Sequence, residues 1–163
     1  MKIVDLKKCS QHIQQLAEWH HAQWSDINPG QTLQQRIEKM RHYLNDGFVP
    51  STFVAIENDE PRGSAAIVEY DMKIEGCTPW LASVYVDKLY RNQGLGSKLV
   101  FHAIEKARLN NVKTLYLFTP DRTSFYQRLG WEIRAIEPYY GKDVTIMHYN
   151  VLESMNALSS IKE

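Results

Sequence analysis

Apolar positions run along this chain in two periods, and the change from one to the other falls near its middle. Residues 81–86 (Leu-Ala-Ser-Val-Tyr-Val) are mostly apolar and partly β-branched, the composition of a buried strand. From Leu95 the spacing changes. Leu95, Leu99, Ala103 and Ala107 recur every fourth residue, Val100 and Ile104 widen the stripe, and Lys98, Glu105 and Arg108 fall on the opposite side. That is an amphipathic helix. Between strand and helix lies Arg91-Asn92-Gln93-Gly94-Leu95-Gly96, where two glycines remove Cβ atoms from a turning backbone.

The same periods predict the other elements. Residues 2–6 read as a first strand, followed by a helix capped by Ser10 with Ile13, Leu16, Ala17 and His20 on one face. Asn28-Pro29-Gly30 breaks the chain. Thr32 and Gln35 have capping-box spacing, and Leu33, Ile37, Met40 and Leu44 form the stripe of a second helix. Strands at 52–57 and 63–70, turned by Asn58-Asp59-Glu60-Pro61, read as a hairpin. Residues 71–79 are a loop. A strand at 114–118 precedes a short helix with Thr119 as N-cap and Pro120 at its first position, ending at Gly130. Strands at 131–137 and 144–151, joined by residues 138–143, complete an α/β (α+β) chain of order β-α-α-β-β-β-α-β-α-β-β. A single domain over residues 1–153 is expected, with a frayed tail over 154–163.

Composition narrows the function. The 163 residues carry 19 Lys and Arg against 19 Asp and Glu, so no basic field points to nucleic acid. No run is long enough to cross a membrane and the start lacks a signal peptide's apolar core. The 2 cysteines, Cys9 and Cys77, show no metal spacing. The expectation is a cytoplasmic globular protein with reduced thiols, no metal, and a monomeric or homodimeric state.

The glycine turn is where chemistry enters. The first amides of a helix have no intrahelical partner, and the helix dipole adds positive charge there. Such an end cradles an anion such as a pyrophosphate, and Arg91 adds a charge. The turn is neither G-x-x-x-x-G-K-[ST] nor G-x-G-x-x-G. Arg91, Gly94 and Gly96 do fit [RQ]-x-x-G-x-[GA]. Further on, Phe125-Tyr126-Gln127-Arg128-Leu129-Gly130-Trp131 fits F-Y-x-x-x-G-[FW]. In these two blocks, in this order, the chain resembles the GNAT (GCN5-related N-acetyltransferase) family.

The resemblance implies a mixed central β-sheet, flanked by helices, that splays beside the central strand, with acetyl-CoA in the gap. Backbone of Val84 and Val86 would pair with the pantetheine arm, and the Val84 amide would serve as oxyanion donor. Arg91, Asn92, Gln93, Gly94, Leu95, Gly96 and Ser97 would hold the pyrophosphate. Tyr126 would protonate the departing thiolate, a role for a phenol still protonated at neutral pH. Thr119 stands where many members place a pantetheine-binding asparagine, and it offers only a hydroxyl. Glu69 is the candidate base. Some members carry histidines on the central strand ahead of the Val84 position; here those places hold Trp80 and Ala82. Trp24, Asp26, Trp80 and Tyr139 are the candidate acceptor-side residues, in a setting of aromatics and carboxylates suited to a cationic amine. Read singly, Trp24 is a core residue and Glu69 a solvated strand end. The implied activity is N-acetyl transfer from acetyl-CoA to a primary amine of a small molecule or peptide N-terminus, by direct attack in a ternary complex. The alternatives are a non-catalytic acyl-CoA-binding sensor of the same fold and a nucleotide-binding module built on the glycine turn.

Overall fold

Two tight turns fix the antiparallel parts of the sheet. Asn58 and Asp59 both take positive φ (53° and 62°), as do Tyr140 and Gly141 (47° and 79°). Two consecutive left-handed residues make the hairpin turn whose twist matches the flanking strands. The first joins β2 (Ser51–Glu57) to β3 (Glu60–Val68), and the second joins β6 (Glu132–Tyr139) to β7 (Lys142–Asn150). The second hairpin is longer than the sequence suggests, because Pro138 is tolerated inside β6. That strand forms the edge of the sheet, where a missing N–H need not break a ladder.

The protein is described by a computed structural model covering residues 1–152. With β1 (Lys2–Asp5), β4 (Trp80–Val86) and β5 (Thr114–Thr119), the strands form one mixed sheet of order β1-β2-β3-β4-β5-β7-β6. The helices are α1 (Ile13–Trp24), α2 (Leu33–His42), α3 (Leu95–Leu109) and α4 (Thr123–Arg128), in the expected order. The tail expected over 154–163 lies outside the described residues. Among the described residues, no helix is long and apolar enough to cross a membrane.

Helix starts follow local chemistry. The capping box of α2 is complete: Gln35 N–H donates to Thr32 Oγ1 (3.1 Å) and Thr32 N–H to Gln35 Oε1 (2.8 Å). Ser10 does not cap α1. Two single turns of 3₁₀ helix come first, and α1 begins at Ile13 with no side-chain cap. Thr119 does not cap α4 either. It ends β5, and its hydroxyl accepts the Arg122 N–H (2.9 Å), closing the turn that leads to α4 at Thr123.

Side-chain alternation divides the sheet into two faces. Phe53, Ile67, Leu81, Leu117 and Met147 meet α3 through the fully buried Leu99 and Val100. Truncating a leucine so placed costs about 2–5 kcal/mol. On the other face Val54 and Ile56 meet Leu16 of α1 and Met40 of α2, while Met72 and Ile74 of the β3–β4 loop cover Ala66, Trp80 and Ile146.

Two irregularities in β4 shape everything that follows. Its only bridge to parallel β5 is Trp80 to Tyr116, so the two strands part beyond that point and the sheet splays. In the same strand Ser64 pairs with Tyr85 and Ala66 with Ala82, which leaves Ser83 and Val84 together opposite Ala65. This is a β-bulge, with Ser83 at φ 53°. It re-aims the strand: Leu81, Val84 and Val86 pack towards α3, while Tyr85 stacks on Trp19 of α1.

Candidate active site in the gap between β4 and β5

The splay opens a cleft of about 950 Å³. One end is the loop before α3. There Asn92 and Gly94 take positive φ (62° and 82°), bending the chain so that α3 starts at Leu95 with no side chain capping it. The backbone amides of Leu95, Gly96 and Ser97 are the donors that a helix leaves without internal partners, and all three residues line the cleft. A Cβ on Gly96 would meet the Phe125 ring at 3.5 Å, an ordinary contact, so packing inside the protein does not by itself require the glycine. Arg91 is anchored: its Nε–H donates to the Val86 carbonyl (2.8 Å) and its guanidinium lies 5.4 Å from the Tyr85 ring centroid. Gln93 departs from expectation. It is exposed, turns back towards the Leu89 carbonyl (3.5 Å), and does not line the cleft.

The middle of the cleft brings Val84, Val86, Thr119 and Tyr126 together. The bulge leaves Val84 without a partner in β3. Tyr126, 8 % exposed, is held edge-on by Phe125 (5.0 Å) and Trp131 (6.0 Å). Burial raises its pKa well above the ordinary tyrosine value, so the hydroxyl keeps its proton at neutral pH.

A buried polar chain supports the bulge. Arg36 Nη2 donates to His20 Nδ1 (2.8 Å) and to Ser83 Oγ (2.8 Å). An arginine can only donate, so His20 accepts at Nδ1 and carries its proton at Nε2. That Nε2–H faces Ser64 Oγ (2.9 Å), whose hydroxyl donates to the Ser83 carbonyl (3.3 Å). Burial and the nearby Arg36 charge hold the His20 pKa well below its usual value, in keeping with a neutral ring.

The far end is where acceptor-side residues were expected. Trp24 lines it, packed on His20 (5.3 Å) and Tyr85 (6.1 Å). Asp26 lines it too, but its carboxylate is tied to Lys142 Nζ (2.6 Å), which lowers its pKa and occupies the charge expected to meet a cationic amine. Three of the expected residues, Glu69, Trp80 and Tyr139, do not line the cleft. Glu69 is exposed and outside the cleft, because β3 ends at Val68 and the chain turns outward. Trp80 is fully buried on the far sheet face, its Nε1–H donating to the Cys77 carbonyl (2.6 Å), so it is core and not an acceptor wall. Tyr139 is half-buried against Phe118 (5.0 Å) and Tyr140 (4.7 Å), also outside the cleft lining.

Charged residues to which the sequence assigned no role also line the cleft, among them Asp71, Arg36 and Lys39. Burial pushes the Asp71 pKa up from 3.8 to about 6, against the opposing pull of Lys39 and Arg36. Arg36 was detectable, since it falls on the apolar stripe of α2 beside Leu33, Ile37 and Met40. Asp71 carried no such signal, being one carboxylate of a polar loop. Among the described residues, no three His, Cys, Asp or Glu side chains are grouped to hold a metal ion.

Comparison with known proteins agrees with this geometry. The family described as Acetyltransferase (GNAT) family matches residues 13–131. An aminoglycoside 6'-N-acetyltransferase complexed with coenzyme A superposes with a TM-score of 0.76 at 16% identity, over 93% of this chain and 97% of that one. The ribosomal-protein-alanine N-acetyltransferase of Brucella melitensis gives 0.71 at 19% identity, over 92% and 99%. A GNAT-family acetyltransferase of Staphylococcus aureus Mu50 gives 0.70 at 23% identity, over 92% and 98%. At these identities the likeness is one of fold.

Proposed function

The chain belongs to the GNAT acetyltransferase family, and from that premise we propose that it moves an acetyl group from acetyl-CoA to a primary amine by direct attack in a ternary complex. The observation that carries this reading is one cleft holding three things: an unpaired edge of β4, the uncapped start of α3, and the buried phenol of Tyr126.

The residues present suit the cosubstrate. Past Trp80 the β4 backbone has no strand beside it on the β5 side, which leaves room for the amides of a pantetheine arm. The amides of Leu95, Gly96 and Ser97 suit a pyrophosphate, with Asn92 and Gly94 shaping the turn. Arg91 serves mainly by fixing that loop to β4, and Thr119 is spent on its own turn. Acetyl-CoA supplies an acetyl group already activated as a thioester.

The protein's part is to orient and to move protons. The Val84 amide is assigned to the thioester oxygen, where negative charge develops, and the bulge aims it. The new bond is nitrogen to acetyl carbon, and the bond that breaks is carbon to sulfur. The departing sulfur takes the Tyr126 proton, and the phenolate is restored by the second proton, which the nitrogen sheds as the amide forms. The amine must lose a proton before attack, and Asp71 replaces Glu69 as the carboxylate placed to accept it. Its raised pKa is nearer the working range of a base than an ordinary aspartate's. The continuous sheet supports reading the described chain as one catalytic domain.

Thermal unfolding with added ligand tests the reading. A ligand that binds only the native state raises Tm by mass action. Acetyl-CoA is expected to raise it clearly, and ATP or NAD at equal concentration much less. A larger shift with NAD, or none with acetyl-CoA, overturns it.

A further inference from the structure

Arg36 is 8 % exposed and lines the acceptor side of the cleft. Both of its hydrogen bonds leave from Nη2, to His20 and Ser83. Its Nε is buried without a partner, and among the described residues no carboxylate lies within ion-pair distance of the guanidinium. A buried cation without an anion is costly, and folded proteins normally pair it. Lys39, one turn further along α2, lines the same wall, also without an ion pair among the described residues.

Among the described residues, none of the carboxylates lining the cleft, Asp26, Asp71 and Asp121, lies within ion-pair distance of Arg36. Asp26 is bound to Lys142. Asp71 senses both Arg36 and Lys39 but contacts neither. Nor do the coenzyme phosphates explain the charge, since the cradle for them lies at the α3 end, whereas Arg36 sits against α1 and the β4 bulge. Its partner Ser83 is the residue before Val84, so an anion on Arg36 sits beside the stretch of β4 assigned to the thioester.

We propose that the acceptor is an amine that also bears a carboxylate, taken up by Arg36 with Lys39 beside it, while the amine faces Asp71. The proposal rests on the acetyl-transfer reading above and narrows its substrate class. It corrects the expectation of a plain cationic amine: the aromatics are present, but on the wall formed by α2 Asp71 faces two cations, Arg36 and Lys39. The carboxylate can be that of a free amino acid or the side chain of an acidic residue at a peptide end.

The test compares matched acceptors by thiol release from acetyl-CoA: alanine with alaninamide, β-alanine with its amide, and aspartyl with asparaginyl peptide amides. Aminoglycosides and polyamines complete the panel. At least one carboxylate member is expected to exceed its amide in kcat/KM by ~30-fold or more, because a site built for a charged partner rejects the analogue lacking it. Which pair shows the preference tells free amino acid from peptide end. In Arg36→Gln that ratio should fall at least ~10-fold, with partial recovery in Arg36→Lys. The ratio is internal to each protein, so a general loss of activity from the disturbed bulge does not imitate it. Calorimetric titration with the N-acetylated product and its amide gives the same comparison without turnover. Amides or polyamines used as well as carboxylates, or a ratio unchanged in Arg36→Gln, would overturn this inference and leave acetyl transfer standing. No turnover with any amine overturns both.

Discussion

Tyr126 carries the most specific chemistry assigned to any one side chain. Its ring is buried, the residue lines the cleft, and its hydroxyl stays protonated. A thiolate leaves fairly well unaided, since free thiols titrate near ~8.5, so the low end of general acid catalysis applies. Tyr126→Phe is expected to lower kcat ~30- to 300-fold with little change in coenzyme A affinity. A kcat within about threefold of the parent, by steady-state thiol release, would reduce Tyr126 to a packing residue. Asp71 makes a second prediction, with a sign. Its folded pKa, about 6, lies above its usual 3.8. The stability it contributes is therefore fully present below the lower value and is lost as pH rises through the upper one. Above that window the ionised carboxylate is a cost. Asp71→Asn should raise Tm near neutral pH, by about 2–4 °C for each kcal/mol released, with the gap closing towards about pH 4. The same variant should lose the rise in kcat/KM that centres near pH 6 in the parent. Equal Tm at neutral pH, or an unchanged pH profile, would count against a buried base. The contrast between Tyr126 and Asp71 shows what a sequence reveals at this scale. Tyr126 sits in a local motif with fixed spacing. Asp71 gains its environment only when α2 and the β3–β4 loop come together, and its neighbours in sequence say nothing of that.

At the scale of elements, the start of α3 is the part most tightly written into the chain. The apolar stripe sets the helix and Gly94 sets its entry, with φ 82° and nothing within 4 Å of where a Cβ would lie. The penalty for a side chain there is backbone strain and intrusion on a ligand, with no clash inside the protein. Gly94→Val should therefore fold and yet bind coenzyme A at least ~10-fold more weakly, ~1.4 kcal/mol. Equal affinity by titration would remove the amide cradle from the account. The capping box of α2 was equally legible, because its spacing is local. The bulge in β4 was not. Both sides of residues 81–86 are covered, so the sequence has no polar and apolar alternation for an extra residue to interrupt. The true start of α1 was hidden for a related reason. Ser10 looks like a cap, but the two 3₁₀ turns place it a turn too early.

For the whole molecule, the equal counts of acidic and basic residues conceal an uneven placement. The wall of the cleft formed by α2 holds Arg36 and Lys39, with no ion pair to a carboxylate among the described residues, and no count of charges shows that. The order of elements and the family's two motif blocks were readable from the chain, because each is local or sequential. The single bridge joining β4 to β5 and the cleft it opens are consequences of assembly. The central claim is that this cleft serves acetyl transfer to an amine. Its most direct test is steady-state release of free coenzyme A across the amine panel, with the acceptor weighed by mass spectrometry. Thiol release that requires an amine, matched by one added acetyl group on its nitrogen, is the expected result. Tight binding of acetyl-CoA with no thiol release above background for any amine would contradict the claim and leave a binding protein of the same fold.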